Sequence, residues 1–117
     1  MTKAREKPRK VTVPGFVAMK QRGERIAVLT AYDRPGARLL DEAGIDALLV
    51  GDSLGMVLLG YATTLPVTLE AMIHHARAVA SGGTRALRIV DMAFLSYEFS
   101  PGQALESAGR LVKYGDS

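Results

Sequence analysis

The feature that most restricts what this chain can fold into is an alternation. Short, continuous apolar runs of strand length take turns with segments that carry helix caps. Ile26 to Ala31 and Ala47 to Val50 are such runs, and Ala86 to Val90 is a third, closed by Asp91. The first two show no polar–apolar alternation, which is the pattern of strands buried on both faces of a parallel sheet. The segments between them read as helices. Thr12 caps a short one through about Lys20, with Pro14 in its first turn and Gly23 at its end. Asp33 and Pro35 open another through about Ala43, ended by Gly44. Thr68 caps the clearest, whose Leu69, Met72, Ile73, Ala76, Val79 and Ala80 share one face before Gly82 and Gly83 stop it. Ser100, Pro101 and Gln103 form a capping box ahead of Ala104, Leu105, Ala108, Leu111 and Val112. Residues 51–66, with Gly51, Gly55, Gly60 and Pro66, are a longer connection.

Strands that alternate with helices imply right-handed βαβ units and an α/β fold around a parallel sheet. Two forms remain open at this point, a (β/α)₈ TIM barrel and an open doubly wound sheet. A full barrel needs about 250 residues. With 117 residues and three βα units, this chain makes less than half of one. The formal charge of +3 invites a nucleic-acid reading, but its distribution argues against one. Lys3, Arg5, Lys7, Arg9 and Lys10 stand against Glu6 within residues 1–10, which leaves the rest close to neutral. Residues 1–10 read as a disordered basic leader and residues 11–117 as the folded portion. There is no Cys, so thiolate metal sites, disulfides and a Cys nucleophile are excluded. No run of about 18 apolar residues and no signal-peptide core occurs, so the expectation is a cytoplasmic protein with no membrane and no nucleic-acid partner.

In parallel α/β folds, sites gather at the carboxyl ends of strands. Asp52 follows the second run and Asp91 closes the third. Neighbouring strands lie about 4.8 Å apart, so the two carboxylates can converge on one small volume. A hard cation such as Mg²⁺ offsets their repulsion and takes one or two carboxylates plus waters or substrate oxygens. The competing reading is that each Asp caps a helix or a turn. Gly51-Asp52-Ser53-Leu54 spells the signature of the GDSL esterases, in which Ser is the nucleophile. That chemistry needs a base and an oxyanion hole. The chain has no Asn for the hole and no Asp three positions before His74 or His75. Adjacent histidines in mid-helix point about 100° apart and read as structural. Lys20, Arg22 and Arg25 read as a solvated turn.

Taken in order, several stretches resemble ketopantoate hydroxymethyltransferases. They are Leu29-Thr30-Ala31-Tyr32-Asp33, Leu49-Val50-Gly51-Asp52-Ser53-Leu54-Gly55-Met56, Thr64-Leu65-Pro66-Val67-Thr68, and Asp91-Met92-Ala93-Phe94 with Ser96-Tyr97. The opening from Thr12-Val13-Pro14 to Met19-Lys20 also fits that family's N-terminal helix. The resemblance runs from about residue 11 to about residue 112. It implies an N-terminal helix plus about three βα units of a (β/α)₈ barrel. It also implies Mg²⁺-dependent transfer of a hydroxymethyl group from methylenetetrahydrofolate to the α-keto acid 3-methyl-2-oxobutanoate, giving ketopantoate for pantothenate synthesis. On this resemblance Asp52 and Asp91 are the metal ligands and also touch substrate, and Ser53 binds substrate. The Lewis-acid metal stabilises an enolate once a carboxylate base takes the C3 proton. Homo-oligomers are the family's habit. Two departures stand out. Ala93 replaces the usual Pro of the third motif. The family's catalytic Glu has no counterpart among these residues, and neither does its substrate Lys, so no catalytic base is assigned. The expectation is a truncated chain, inactive alone and either marginally stable or self-associating. Alternatives are another Mg²⁺-dependent α-keto-acid barrel enzyme of the phosphoenolpyruvate mutase and isocitrate lyase type, or a noncatalytic truncated product.

Overall fold

A computed structural model describes residues 10–83 and 85–116. The expected leader over residues 1–10 falls, but for Lys10, outside the described residues. The chain opens with α1 (Val13–Gln21), where Thr12 Oγ1 accepts the Gly15 N–H at 3.1 Å and Pro14 sits in the first turn. Gly23, at φ +74°, takes the left-handed turn that follows, a conformation that penalises any Cβ. Next come β1 (Val28–Thr30) and α2 (Arg34–Glu42), the latter capped by Asp33 Oδ1 on the Gly36 N–H at 2.8 Å. β2 (Ala47–Val50) leads into a one-turn helix, α3 (Leu54–Val57). α4 (Leu69–Gly82), capped by Thr68, β3 (Leu87–Val90) and α5 (Pro101–Gly115) complete the order.

The three strands form one parallel sheet in the order β1-β2-β3. Leu49 stands opposite Thr30 on one side and Ile89 on the other. Leu48 and Val50 of the central strand pack with Ala37 of α2, Met72 and Val79 of α4 and Leu111 of α5 into one apolar core. Consecutive parallel strands joined through helices that cover the sheet are what the alternating pattern demands. Among the described residues, no helix is long and apolar enough to cross a membrane. Asp41 ties the end of α2 to the start of β3. Its carboxylate accepts the Arg85 N–H at 3.1 Å and the Ala86 N–H at 2.7 Å.

Four details depart from the sequence expectation. β2 is buried as its apolar run suggests, but β1 is exposed along its whole length. Among the described residues it lies at the sheet edge with one neighbour, so Val28 and Leu29 stay about half exposed although nothing in their run distinguishes them from β2. The connection over residues 51–66 contains α3, a single turn too short to carry a periodic signal. Gly82 lies inside α4 instead of stopping it. A Cβ there would meet the Arg34 carbonyl oxygen at 2.3 Å, so the glycine serves the close approach of α4 to α2. The capping box of α5 is half formed. Ser100 Oγ accepts the Gln103 N–H at 3.0 Å, but Gln103 Oε1 accepts from Phe99 N–H, one residue before the cap, and Gln103 Nε2 donates to the Leu95 carbonyl.

Candidate functional site

Because β2 and β3 run parallel with Val50 opposite Val90, the residues that follow them emerge at the same rim of the sheet. The Asp91 N–H extends the ladder by donating to the Val50 carbonyl at 3.0 Å. With its backbone fixed in this way, Asp91 turns its carboxylate back across the rim. Oδ2 accepts the Asp52 N–H at 3.1 Å. Both aspartates, with Met92 and Tyr97, line a cavity of about 330 Å³. Gly51 lies under this arrangement. A Cβ in its place would stand 3.4 Å from Asp91 Oδ2 and 3.5 Å from Ser53 Oγ, in ordinary van der Waals contact with both, which places the Gly51 backbone directly beside the two groups.

Ser53 occupies the N-cap position of α3 but does not cap it. Its backbone is helical, at φ −57° and ψ −16°, rather than extended, and its side chain makes no capping bond. The hydroxyl pairs instead with the Tyr32 hydroxyl at 2.9 Å. Tyr32 is held from behind, since His75 Nδ1 on α4 donates to the Tyr32 carbonyl at 2.7 Å. His75 is thus a brace, as the structural reading expects, and His74 stacks edge-on against it at 5.2 Å. The serine's partner is a phenol rather than an imidazole, so the base an esterase mechanism needs is not in this pair.

The loop after β3 is tightly turned. Ser96 N–H donates to the Ala93 carbonyl at 3.0 Å, and Leu95 sits at φ +67°, a left-handed conformation that costs a branched residue free energy. Ala93 is buried at 2% exposure and Ser96 at 7%, so the turn is closely packed at both its ends. Asp33, the third acid near a strand end, is used as the cap of α2. Arg22, Glu24 and Gly23 lie at the opposite end of the sheet, before β1. There the hydrogen bond from Arg22 draws the Glu24 carboxyl below its usual range, a surface effect remote from the cavity.

The donor set can be tested against a cation. Among the described residues no group of three or more His, Cys, Asp or Glu side chains gathers, so these residues form no closed protein cage such as a structural Zn²⁺ site requires. Two carboxylates on one side of an open cavity, with the Ser53 hydroxyl near Asp91 across Gly51, suit an oxygen-preferring ion that keeps water or substrate in its remaining positions. Sequence reasoning marked Asp52, Ser53 and Asp91, and the fold brings all three to one rim. It gave no role to Tyr32, Met92 or Tyr97. Each sits in a stretch noted for its resemblance, yet no spacing rule announces a phenol that reaches from one strand end to the next.

The sequence profile of ketopantoate hydroxymethyltransferase matches residues 10–117. The chain is 61% identical over 105 residues to a 3-methyl-2-oxobutanoate hydroxymethyltransferase of Thermosynechococcus vestitus, covering 90% of this chain and 40% of that protein. It is 55% identical over 106 residues to the enzyme of that name from Moorella thermoacetica, covering 91% and 39%. The one from Trichodesmium erythraeum is 59% identical over 103 residues, covering 88% and 39%. The chain therefore spans about 40% of the length of the curated relatives it matches.

Proposed function

The chain belongs to the ketopantoate hydroxymethyltransferase family, and from that premise we propose that its Asp52–Ser53–Asp91 rim is the metal- and keto-acid-holding part of a hydroxymethyltransferase site on a (β/α)₈ barrel. The observation that carries the reading is the convergence of the two aspartates. Residues 39 positions apart meet through the Asp52 N–H and Asp91 Oδ2 at 3.1 Å and face one cavity. Asp52 and Asp91 would hold Mg²⁺. Bound there, the ion would supply Lewis-acid chemistry to an α-keto acid. The substrate on this reading is 3-methyl-2-oxobutanoate, and the one-carbon donor is methylenetetrahydrofolate. Ser53 orients the keto acid by donating to its carboxylate, a charge-assisted bond. The Asp52 N–H bond fixes the direction of the Asp91 carboxylate, so the rim is organised before ligand arrives. The loop from Met92 to Tyr97 forms one wall of the cavity. No residue of this rim is assigned the base that removes the C3 proton, and these residues are assigned holding and orienting only.

Calorimetric titration of the chain with 3-methyl-2-oxobutanoate, with and without Mg²⁺, tests the reading. Binding is expected only with the metal. Asp52→Asn and Asp91→Asn should each weaken it at least tenfold, since each removes a full charge from a two-carboxylate site. Mn²⁺ gives a second readout, its spin resonance signal broadening on the wild-type chain and not on the double variant. Metal-independent binding, or binding that survives both substitutions, would overturn the proposal.

A further inference from the structure

Tyr32 follows the end of β1 and reaches this rim from there, and both its ends are tied. Its carbonyl accepts from His75 Nδ1 at 2.7 Å, and its hydroxyl stands 2.9 Å from Ser53 Oγ. Its ring packs against the core, so the hydroxyl is placed by a fixed backbone and a packed ring rather than by a mobile side chain. Ser53 meanwhile forgoes the capping bond its position offers. A hydroxyl carries one hydrogen and two lone pairs. If Ser53 directs its hydrogen at an anionic ligand, the hydrogen shared with Tyr32 must come from the phenol. Tyr32 then donates, Ser53 accepts, and the serine's own O–H is left pointing away from Tyr32 and polarised by it.

We propose that Tyr32 is a positioning residue for the keto-acid site: its phenol donates to Ser53 Oγ and thereby commits the Ser53 hydrogen to the ligand's carboxylate. His75 completes the device from α4 by fixing the backbone that carries the phenol. The inference rests on the keto-acid reading above. A serine without this partner would spend part of its time donating back to the protein or to water.

The test measures Mg²⁺-dependent affinity of the 117-residue chain for 3-methyl-2-oxobutanoate in Tyr32→Phe, Ser53→Ala and the double variant. Loss of one such hydrogen bond predicts that Tyr32→Phe weakens binding about five- to tenfold. In the Ser53→Ala background, Tyr32→Phe should cause no further loss, because the phenol acts only through the serine. Tyr32→4-aminophenylalanine, which keeps an N–H donor at the same place, should restore affinity to within about twofold of wild type. Tyr32→4-methylphenylalanine, which fills the space without a donor, should not. A packing role would not separate those two. If wild type binds and Tyr32→Phe binds equally well, or if the two losses simply add, the positioning role is overturned while the keto-acid reading stands. Absence of binding by the wild-type chain overturns the keto-acid reading itself, and this inference with it.

Discussion

Asp41 makes the case that a carboxylate near a strand need not be chemistry. It sits half-buried at the end of α2 and spends both oxygens on backbone, accepting the Arg85 N–H at 3.1 and 3.3 Å and the Ala86 N–H at 2.7 Å. Arg85 extends the tie by donating to the Ile45 carbonyl at 2.8 Å, and Asp46 accepts the Ala27 N–H at 2.9 Å. The entries to all three strands are thereby stapled together. Removing such an acceptor leaves partly buried N–H groups unpaired, at about 1–3 kcal/mol. Asp41→Ala should therefore lower unfolding stability by about 2 kcal/mol, and Asp41→Asn, which keeps one oxygen, by less. Urea unfolding followed by circular dichroism measures both. Equal stability of Asp41→Ala and wild type would remove the staple from the account. Asp91 uses its Oδ2 in the same idiom, on the Asp52 N–H, but its carboxylate also borders an open cavity. Capping and ligand binding are thus compatible at one residue, which is why spacing alone does not choose between them.

At the scale of elements, the glycines separate two physical roles that look alike in sequence. Gly82 lies where α4 crosses α2, and an added Cβ would fall 2.3 Å from the Arg34 carbonyl, a backbone atom with no rotamer to escape through. Gly109 lies in the exposed middle of α5 with nothing within 4 Å of the same added atom. Gly82→Ala should destabilise by about 1–3 kcal/mol as the helices are forced apart. Gly109→Ala should stabilise by about 0.5–1 kcal/mol through helix propensity alone. Thermal melting of the two variants should move in opposite directions, and a shared sign would refute the packing argument. Local signals of this kind were readable in advance where one residue decides. Thr12, Asp33, Thr68 and Ser100 each cap the helix they were expected to cap. The apolar runs located all three strands. The failures share a cause, which is that the deciding partner is distant in sequence. Exposure of β1 depends on what lies beside it, Gly82 on the Arg34 carbonyl far earlier in the chain, and Ser53 on Tyr32 across 21 positions. The candidate site divides in the same way. Its carboxylates followed from strand ends in a parallel sheet, while the phenol that meets the serine depends on the twist and register that only the assembled fold fixes.

For the whole molecule, the governing fact is a sheet of three parallel strands with two edges. Among the described residues, β1 and β3 each pair on one side only. Parallel sheets are ordinarily buried on both faces and seldom leave long edges open. Here Val28 and Leu29 are 43% and 52% exposed along the outer strand, and Phe99, Leu105 and Val112 lie open around α5. An unpaired strand with apolar side chains is a template for another strand, and in a solution of this chain alone the available strand belongs to a second copy. A β1 edge meeting a β3 edge is a head-to-tail contact, which does not close in pairs and continues until a ring closes or a filament extends. The 117-residue chain should therefore sediment as a concentration-dependent series at micromolar concentrations, with a melting temperature that rises with concentration because association stabilises the folded form. Leu29→Lys places a charge on the half-exposed outer edge and should lower the associated fraction several-fold while leaving the monomer's circular dichroism unchanged. Glu70→Gln, at the exposed Arg110 pair between α4 and α5, changes a surface charge away from either edge and should leave association as it is. If Leu29→Lys associates as wild type does, the outer strand is not the surface through which copies meet.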